Sequence, residues 1–185
     1  VMAHQGDPSP AAAELMRLAI EAESALDTDA RLAASIQRAG NVFLASRYAT
    51  TGAPAPLPPF VQRSALADPG SFAVPAQSAR HPIEALGTVA AGVGQLMAQA
   101  DEDGIVRQVP LLVRYGNVAI PSLALLAARH SLHLGPAAIQ PLAEAPHGML
   151  LGGLDVATDA SATLRPRFYA NDQGAPFPVT SLANV

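Results

Sequence analysis

The sequence predicts a mixed α/β (α+β) fold: a mixed sheet, helices packed on it, and at least one antiparallel hairpin. Three observations lead there. Residues 10–39 carry apolar side chains at helical spacing, and the runs 41–46 and 94–100 have the length and composition of strands. The acidic turn Asp101-Glu102-Asp103-Gly104 then precedes a stretch of alternating apolar side chains.

In chain order, residues 1–5 have room only to finish a strand. Pro8-Ser9-Pro10 opens a helix, with Ser9 as N-cap and Pro10 at the first helical position. Leu15, Leu18, Ala22 and Leu26 recur at helical spacing and are expected to form its inner stripe. A second helix is expected from Thr28, its cap, with Leu32 and Ile36 inward and Gly40 at its end. Asn41–Ser46 is a short apolar strand; after two helices it is most easily placed parallel to a neighbour. Residues 52–62, with Pro54, Pro56, Pro58 and Pro59, read as an ordered extended loop. The pattern over 63–81 supports no assignment. A helix over 82–91 and a strand over 94–100 follow.

The 101–104 turn is expected to fold that strand back on 105–115 as a hairpin, since aspartate favours the first position of a type I turn and glycine the left-handed one. Ile105, Val109, Leu111, Val113 and Tyr115 would share one strand face, and Arg107 falls on it too. A guanidinium cannot shed its charge, so a buried Arg107 must be paired or hold an anion. Pro110 has no N–H, which makes that strand an edge or bulged. Residues 121–130 are leucine and alanine on nearly every side and predict a buried helix. A second hairpin is expected from 148–156 and 162–170, and Thr180 or Ser181 is expected to cap a further helix.

Bulk properties narrow the function. Half of the 185 residues are hydrophobic and 14% are charged, enough for the core of one domain and against global disorder. A net charge of −4 argues against a nucleic-acid partner, which needs clustered lysine and arginine. With no cysteine, disulfides, thiol nucleophiles and cysteine-rich zinc sites are excluded. No apolar run of about 18 residues long enough to span a membrane is present, and the start Val1-Met2-Ala3-His4, with no basic region before an apolar one, is not expected to be a secretory leader.

Asp101, Asp103, Gly104, Arg107, Val109, Pro110 and Leu111, followed by Pro121, Ser122, Leu123 and Ala124, form a spaced pattern, D-x-D-G-x-x-R-x-V-P-L and P-S-L-A. It resembles the signature of the CHASE type-two family, extracellular sensor domains attached to bacterial cyclases and histidine kinases. GDPSP at 6–10, TDARLAASIQRAGNVFLAS at 28–46 and RFYANDQGAPFPVTSLANV at 167–185 are similar to family segments in the same order. Asp7 lacks the family's preceding glutamate, and Asn171-Asp172-Gln173-Gly174 stands where the family has arginine-glycine-proline. The family's strands before Val1 and after Val185 are missing, so the chain is expected to be the central part of one sensor domain, truncated at both ends.

The resemblance implies stimulus sensing on the periplasmic or extracellular side of a bacterial cytoplasmic membrane. The domain would sit between one membrane helix and several later ones, which pass the signal to a cyclase, histidine kinase or similar output. The implied partner is a small-molecule or environmental stimulus that the family does not identify, and no cofactor is implied. An uncovered sheet edge would invite pairing, so a homodimer is also left open. The rival reading is a free-standing soluble small-molecule binding protein.

The candidate ligand or structural signature is therefore Asp101, Asp103, Gly104, Arg107, Pro110 and Ser122. Arg107 would either bind an anion in a sensor pocket or pair with Asp101 or Asp103. Pairing is preferred because the acids lie so near in sequence. If buried, such a pair would matter greatly to stability; if exposed, far less. Calcium is not expected, since Ile105 and Leu112 stand where further oxygen ligands would be needed. His130 and His133 are one turn apart without an H-E-x-x-H pattern, and suit a helix C-terminus better than a metal. Asp155, Asp159 and Asp172 read as loop carboxylates. No G-x-S-x-G elbow is present, no serine has an obvious base partner, and Gly92-x-Gly94 precedes a strand rather than a helix, so no catalytic residue is assigned.

Overall fold

The computed structural model describes residues 9–98 and 100–167. Helix α1 (Pro10–Leu26) starts as its sequence dictates: the Ala12 N–H donates to the Ser9 hydroxyl at 3.3 Å, and Pro10 takes the first position. Its expected inner stripe is not inner. Leu15 is 71% exposed and Leu26 77%, and Leu18 is exposed as well. Periodicity specifies the helix, but only a facing element turns a stripe into core, and no described element packs extensively on α1.

Helix α2 (Thr28–Ala39) is capped by Asp27 rather than Thr28, the Ala30 N–H donating to the Asp27 carboxylate at 2.9 Å. It closes at Gly40, whose φ of 67° lets its N–H reach the Ile36 carbonyl. Ile36 is buried, but Leu32 is exposed. β1 (Phe43–Ala49) then leads through the extended proline segment into one helical turn, α3 (Pro59–Gln62). Three short strands, β2 (Leu66–Ala67), β3 (Val74–Pro75) and β4 (Ser78–Arg80), fill the stretch whose pattern was unassignable. α4 (Glu84–Val89) packs on α2, and Arg63 donates to the Gly87 and Thr88 carbonyls at its end. Next come β5 (Gly92–Gln95), β6 (Val109–Pro110), β7 (Leu112–Tyr115), β8 (Val118–Pro121) and α5 (Leu123–Ser131). The described chain ends with β9 (Ile139–Leu142), β10 (Gly148–Leu151), β11 (Leu154–Ala157) and β12 (Thr163–Leu164).

The expected hairpin of 94–100 on 105–115 does not form. β5 ends at Gln95 and pairs in parallel with β1, which pairs antiparallel with β4 on its other side. The acidic turn closes on itself, with the Gly104 N–H on the Asp101 carbonyl at 2.9 Å and the Asp101 N–H on the Ile105 carbonyl at 3.0 Å. Pro110 ends β6 and the chain bends at Leu111, so the alternation from Ile105 does not belong to one strand. The antiparallel hairpin is β7–β8, with Tyr115 opposite Val118 across Gly116-Asn117. The second hairpin is also shorter than expected: β10 pairs with β11 across Gly152-Gly153, while Thr163 and Leu164 pair with Pro110 and Val109. The strand expected at 1–5 and the helix expected at 180 or 181 lie outside the described residues.

The β7–β8 hairpin is buried on both faces, which is why its sequence is almost continuously apolar. Leu112 and Ala119 join Phe72, Leu125, Leu126 and Met149 on one side. Val113, Tyr115 and Ile120 join Tyr48, Phe60, Val61 and Val93 on the other. The fold is thus mixed α/β, and the second cluster takes in Tyr48 of β1 and Val93 of β5.

Candidate functional site

The parallel ladder of β1 and β5 ends at Ser46 opposite Gln95, with one more bond from the Leu96 N–H to the Ser46 carbonyl at 2.9 Å. From there β1 continues against β4 while the chain leaves β5. Outside the carboxyl ends of parallel strands such a divergence opens a crevice, a common place for ligands. Two clefts meet here and share Arg47, Leu96 and Ala98. One, of about 760 Å³, lies toward Tyr48, Met97, Gln108 and Thr163. The other, of about 770 Å³, lies toward Leu44, Arg80, His81, Ile83 and Leu86.

A buried polar web underlies both. Ser46 and Gln95 are buried. Ser46 Oγ and His81 Nδ1 are hydrogen-bonded at 2.8 Å. The Tyr48 ring meets His81 edge-on at 5.9 Å and Tyr115 at 5.5 Å. The Tyr115 hydroxyl donates to the Ala55 carbonyl at 2.7 Å and accepts the Ala55 N–H at 2.8 Å, tying the proline segment down. Gln95 spans the gap to the next segment: its Nε2 donates to the Pro110 carbonyl at 2.6 Å, and its Oε1 accepts the Met97 N–H at 2.7 Å. The Tyr48 hydroxyl and His81 Nε2 are buried without a partner among the described residues. Burial pushes the Tyr48 phenol pKa well above its ordinary value and lowers that of His81, favouring the neutral imidazole.

Sequence inspection found no base beside a serine, yet the fold brings His81 to Ser46 from 35 residues away. The pair is a packing contact rather than a nucleophile: Ser46 is wholly buried, and no described carboxylate orients the other histidine nitrogen. Sequence inspection also missed two arginines at the crevice rim. Arg47 of β1 stands directly opposite Arg80 of β4, so both side chains leave the same face. Among the described residues neither has a carboxylate within ion-pair distance. The signal for this was the cross-strand register, and β4 lay in the unassigned stretch.

The signature residues separate into two groups. Arg107 bridges Asp101 at 2.8 Å and Asp103 at 2.7 Å across the turn in which Gly104 has a φ of 80°. All three charged side chains are about half exposed. The Arg107 guanidinium, then the Ile105 N–H, hold the Asp103 carboxyl below its usual range. Pairing with Asp103 and then Asp101 pushes the Arg107 pKa further up. Arg107 faces a separate cleft of about 700 Å³ with Arg165, and Asp101 reaches both that cleft and the Tyr48 one. Pro110 and Ser122 instead flank Gln95. The Ser122 N–H donates to the Leu111 carbonyl at 2.8 Å, its Oγ accepts the Leu125 N–H at 3.1 Å to cap α5, and its backbone bridges Gln95.

The remaining candidates disperse. His130 lies edge-on to Phe43 at 5.2 Å, while His133 is past the helix end with a φ of 54°. Among the described residues no three histidine or carboxylate side chains gather into a metal cluster. Asp155 is exposed on β11; Asp159 accepts the Ser161 and Thr163 N–H groups within a turn; Asp172 is outside the described residues.

Among known families, the model of the CHASE2 domain matches residues 7–185. No curated protein and no solved structure matches the chain. With the match running over nearly the whole sequence, the chain belongs to the CHASE2 domain family, a family of extracellular or periplasmic sensory domains.

Proposed function

We propose that this chain is the signal-input domain of a bacterial transmembrane receptor, held outside the cytoplasmic membrane and controlling a cyclase, histidine kinase or similar output on the other side. The observation that carries the reading is the match to a sensory-domain family across residues 7–185. The crevice at the carboxyl ends of β1 and β5 supports it, because it offers a small molecule a concave site of ordinary ligand size. No described helix is long and apolar enough to cross a membrane, so in this proposal the anchoring lies in flanking segments. A stimulus shifts the receptor only as far as it binds one conformation better than another. The chain leaves β5 at Leu96, whose N–H is bonded to the Ser46 carbonyl of β1, and this contact is where closure on a ligand would be felt.

The test is to read the gene on both sides of the region encoding Val1–Val185, then assay the complete product in bacterial membranes. One hydrophobic span upstream, several downstream and an output domain beyond them are expected, with output that changes on stimulation. A gene with neither spans nor an output domain would sink the receptor reading and leave a soluble binding protein.

A further inference from the structure

Arg47 and Arg80 are cross-strand partners on one face, and like charges so placed repel. Neither has a carboxylate partner among the described residues, and a guanidinium cannot neutralise itself by losing a proton. An anion between them removes the conflict, and the planar fork of arginine matches a carboxylate bidentately. The walls beside the pair are apolar: Leu44 and Leu86 line the cleft, and Ile83 and Leu96 are at least half exposed within it. Exposed large apolar side chains around a cationic pair fit a ligand with a charged head and an apolar body.

Charge decides between a monoanion and a more highly charged ligand. Among the described residues Asp29 is the one carboxylate lining this cleft; against two arginines it leaves a single net positive charge, and the burial of His81 favours its neutral form. Among the described residues the neighbouring cleft is lined by Asp101, Glu102 and Asp159 with Arg47 as its only cation, so an anion is disfavoured there. We propose that the cleft between β1, β4 and α4 binds a small monocarboxylate with an apolar body, its carboxylate held by Arg47 and Arg80. This assigns a ligand class to the sensor site, and its role as a stimulus rests on the sensor reading.

The chain is titrated calorimetrically with sodium butyrate, hexanoate and octanoate, and separately with hexanol and succinate. Saturable binding of at least one straight-chain carboxylate is expected with a Kd below about 1 mM, and at least about tenfold weaker binding of hexanol and succinate. Arg47→Gln and Arg80→Gln should each weaken carboxylate binding by about tenfold or more. Both side chains are exposed and their repulsion is screened, so each substitution should raise the melting temperature of the unliganded chain only slightly, and only at low salt, whereas loss of a merely structural arginine would lower it. Arg38→Gln, an exposed residue in the last turn of α2 that does not line the cleft, should leave carboxylate binding unchanged. No saturable carboxylate binding by the folded chain, equal affinity for hexanol, tighter binding of succinate, or binding indifferent to both substitutions would each overturn the proposal. Carboxylate binding without any change in output from the complete receptor would keep the site and remove the sensor reading. A receptor that answers other stimuli while the chain ignores carboxylates would do the reverse.

Discussion

Ser46 Oγ and His81 Nδ1 lie 2.8 Å apart, joining β1 to the residue after β4 beneath the crevice. Burial lowers the His81 pKa below its ordinary 6.5, so the unfolded chain binds a proton there more readily than the folded one. The contribution to stability is therefore complete above about pH 6.5 and is lost as the pH falls through the folded value. Urea unfolding at about pH 7.5 and about pH 5.5 should show the wild type losing stability on acidification. His81→Gln should lose less over the same interval. Equal losses in the two proteins would mean that His81 is not held neutral.

The ends of elements were the legible part of the fold. Ser9 and Gly40 each have one strong local use, as a cap and as a left-handed stop, and the backbone uses them so. Register was not legible. Strands of two to four residues offer too few alternations to separate a hairpin at 94–115 from the observed one at 112–121. The outward face of α1 was unreadable for a related reason: Leu15 and Leu26 declare a stripe but not what covers it. The crevice residues were the least visible of all. Arg47 meets Arg80 and Ser46 meets His81 only through a strand pairing that tertiary structure creates.

At Gly94, β5 runs hard against the start of α5. A Cβ there would stand 2.7 Å from both the Cα and the N of Leu123, backbone that cannot swing aside. Gly94→Ala should push the helix start off the strand and destabilise the protein by about 1–3 kcal/mol, read from the urea midpoint at unchanged m-value. An unshifted midpoint would show that the strand and helix do not approach this closely.

His133 occupies a position that usually belongs to glycine. The Leu134 N–H returns to the Arg129 carbonyl at 3.0 Å and the His133 N–H to the His130 carbonyl at 2.9 Å, a Schellman closure with His133 at φ 54°. The side chain is exposed, so its removal loses little packing while the left-handed penalty disappears. His133→Gly should stabilise the protein by about 1 kcal/mol, and His133→Ala should not. A destabilised glycine variant would mean that the histidine ring makes a contact worth more than the strain.

Arg107 separates two meanings of the signature. Its bonds to Asp101 and Asp103 close the 101–107 loop from outside, with the guanidinium side chain 48% exposed. Exposed pairs are solvated and screened, so Arg107→Gln should lower the melting temperature only slightly, and the difference should shrink at high salt. The loop's backbone bonds, from Gly104 to Asp101 and from Asp101 to Ile105, remain in that variant and should keep the turn formed. Carboxylate binding at the Arg47–Arg80 cleft should be unchanged, because Arg107 lines a different cleft. Thermal melts of wild type and variant in low and high salt, paired with one carboxylate titration, check all three expectations. A large fall in melting temperature that salt does not reduce would mean that the ion pair is buried in the working protein, and that this loop is a seat for something packed against it.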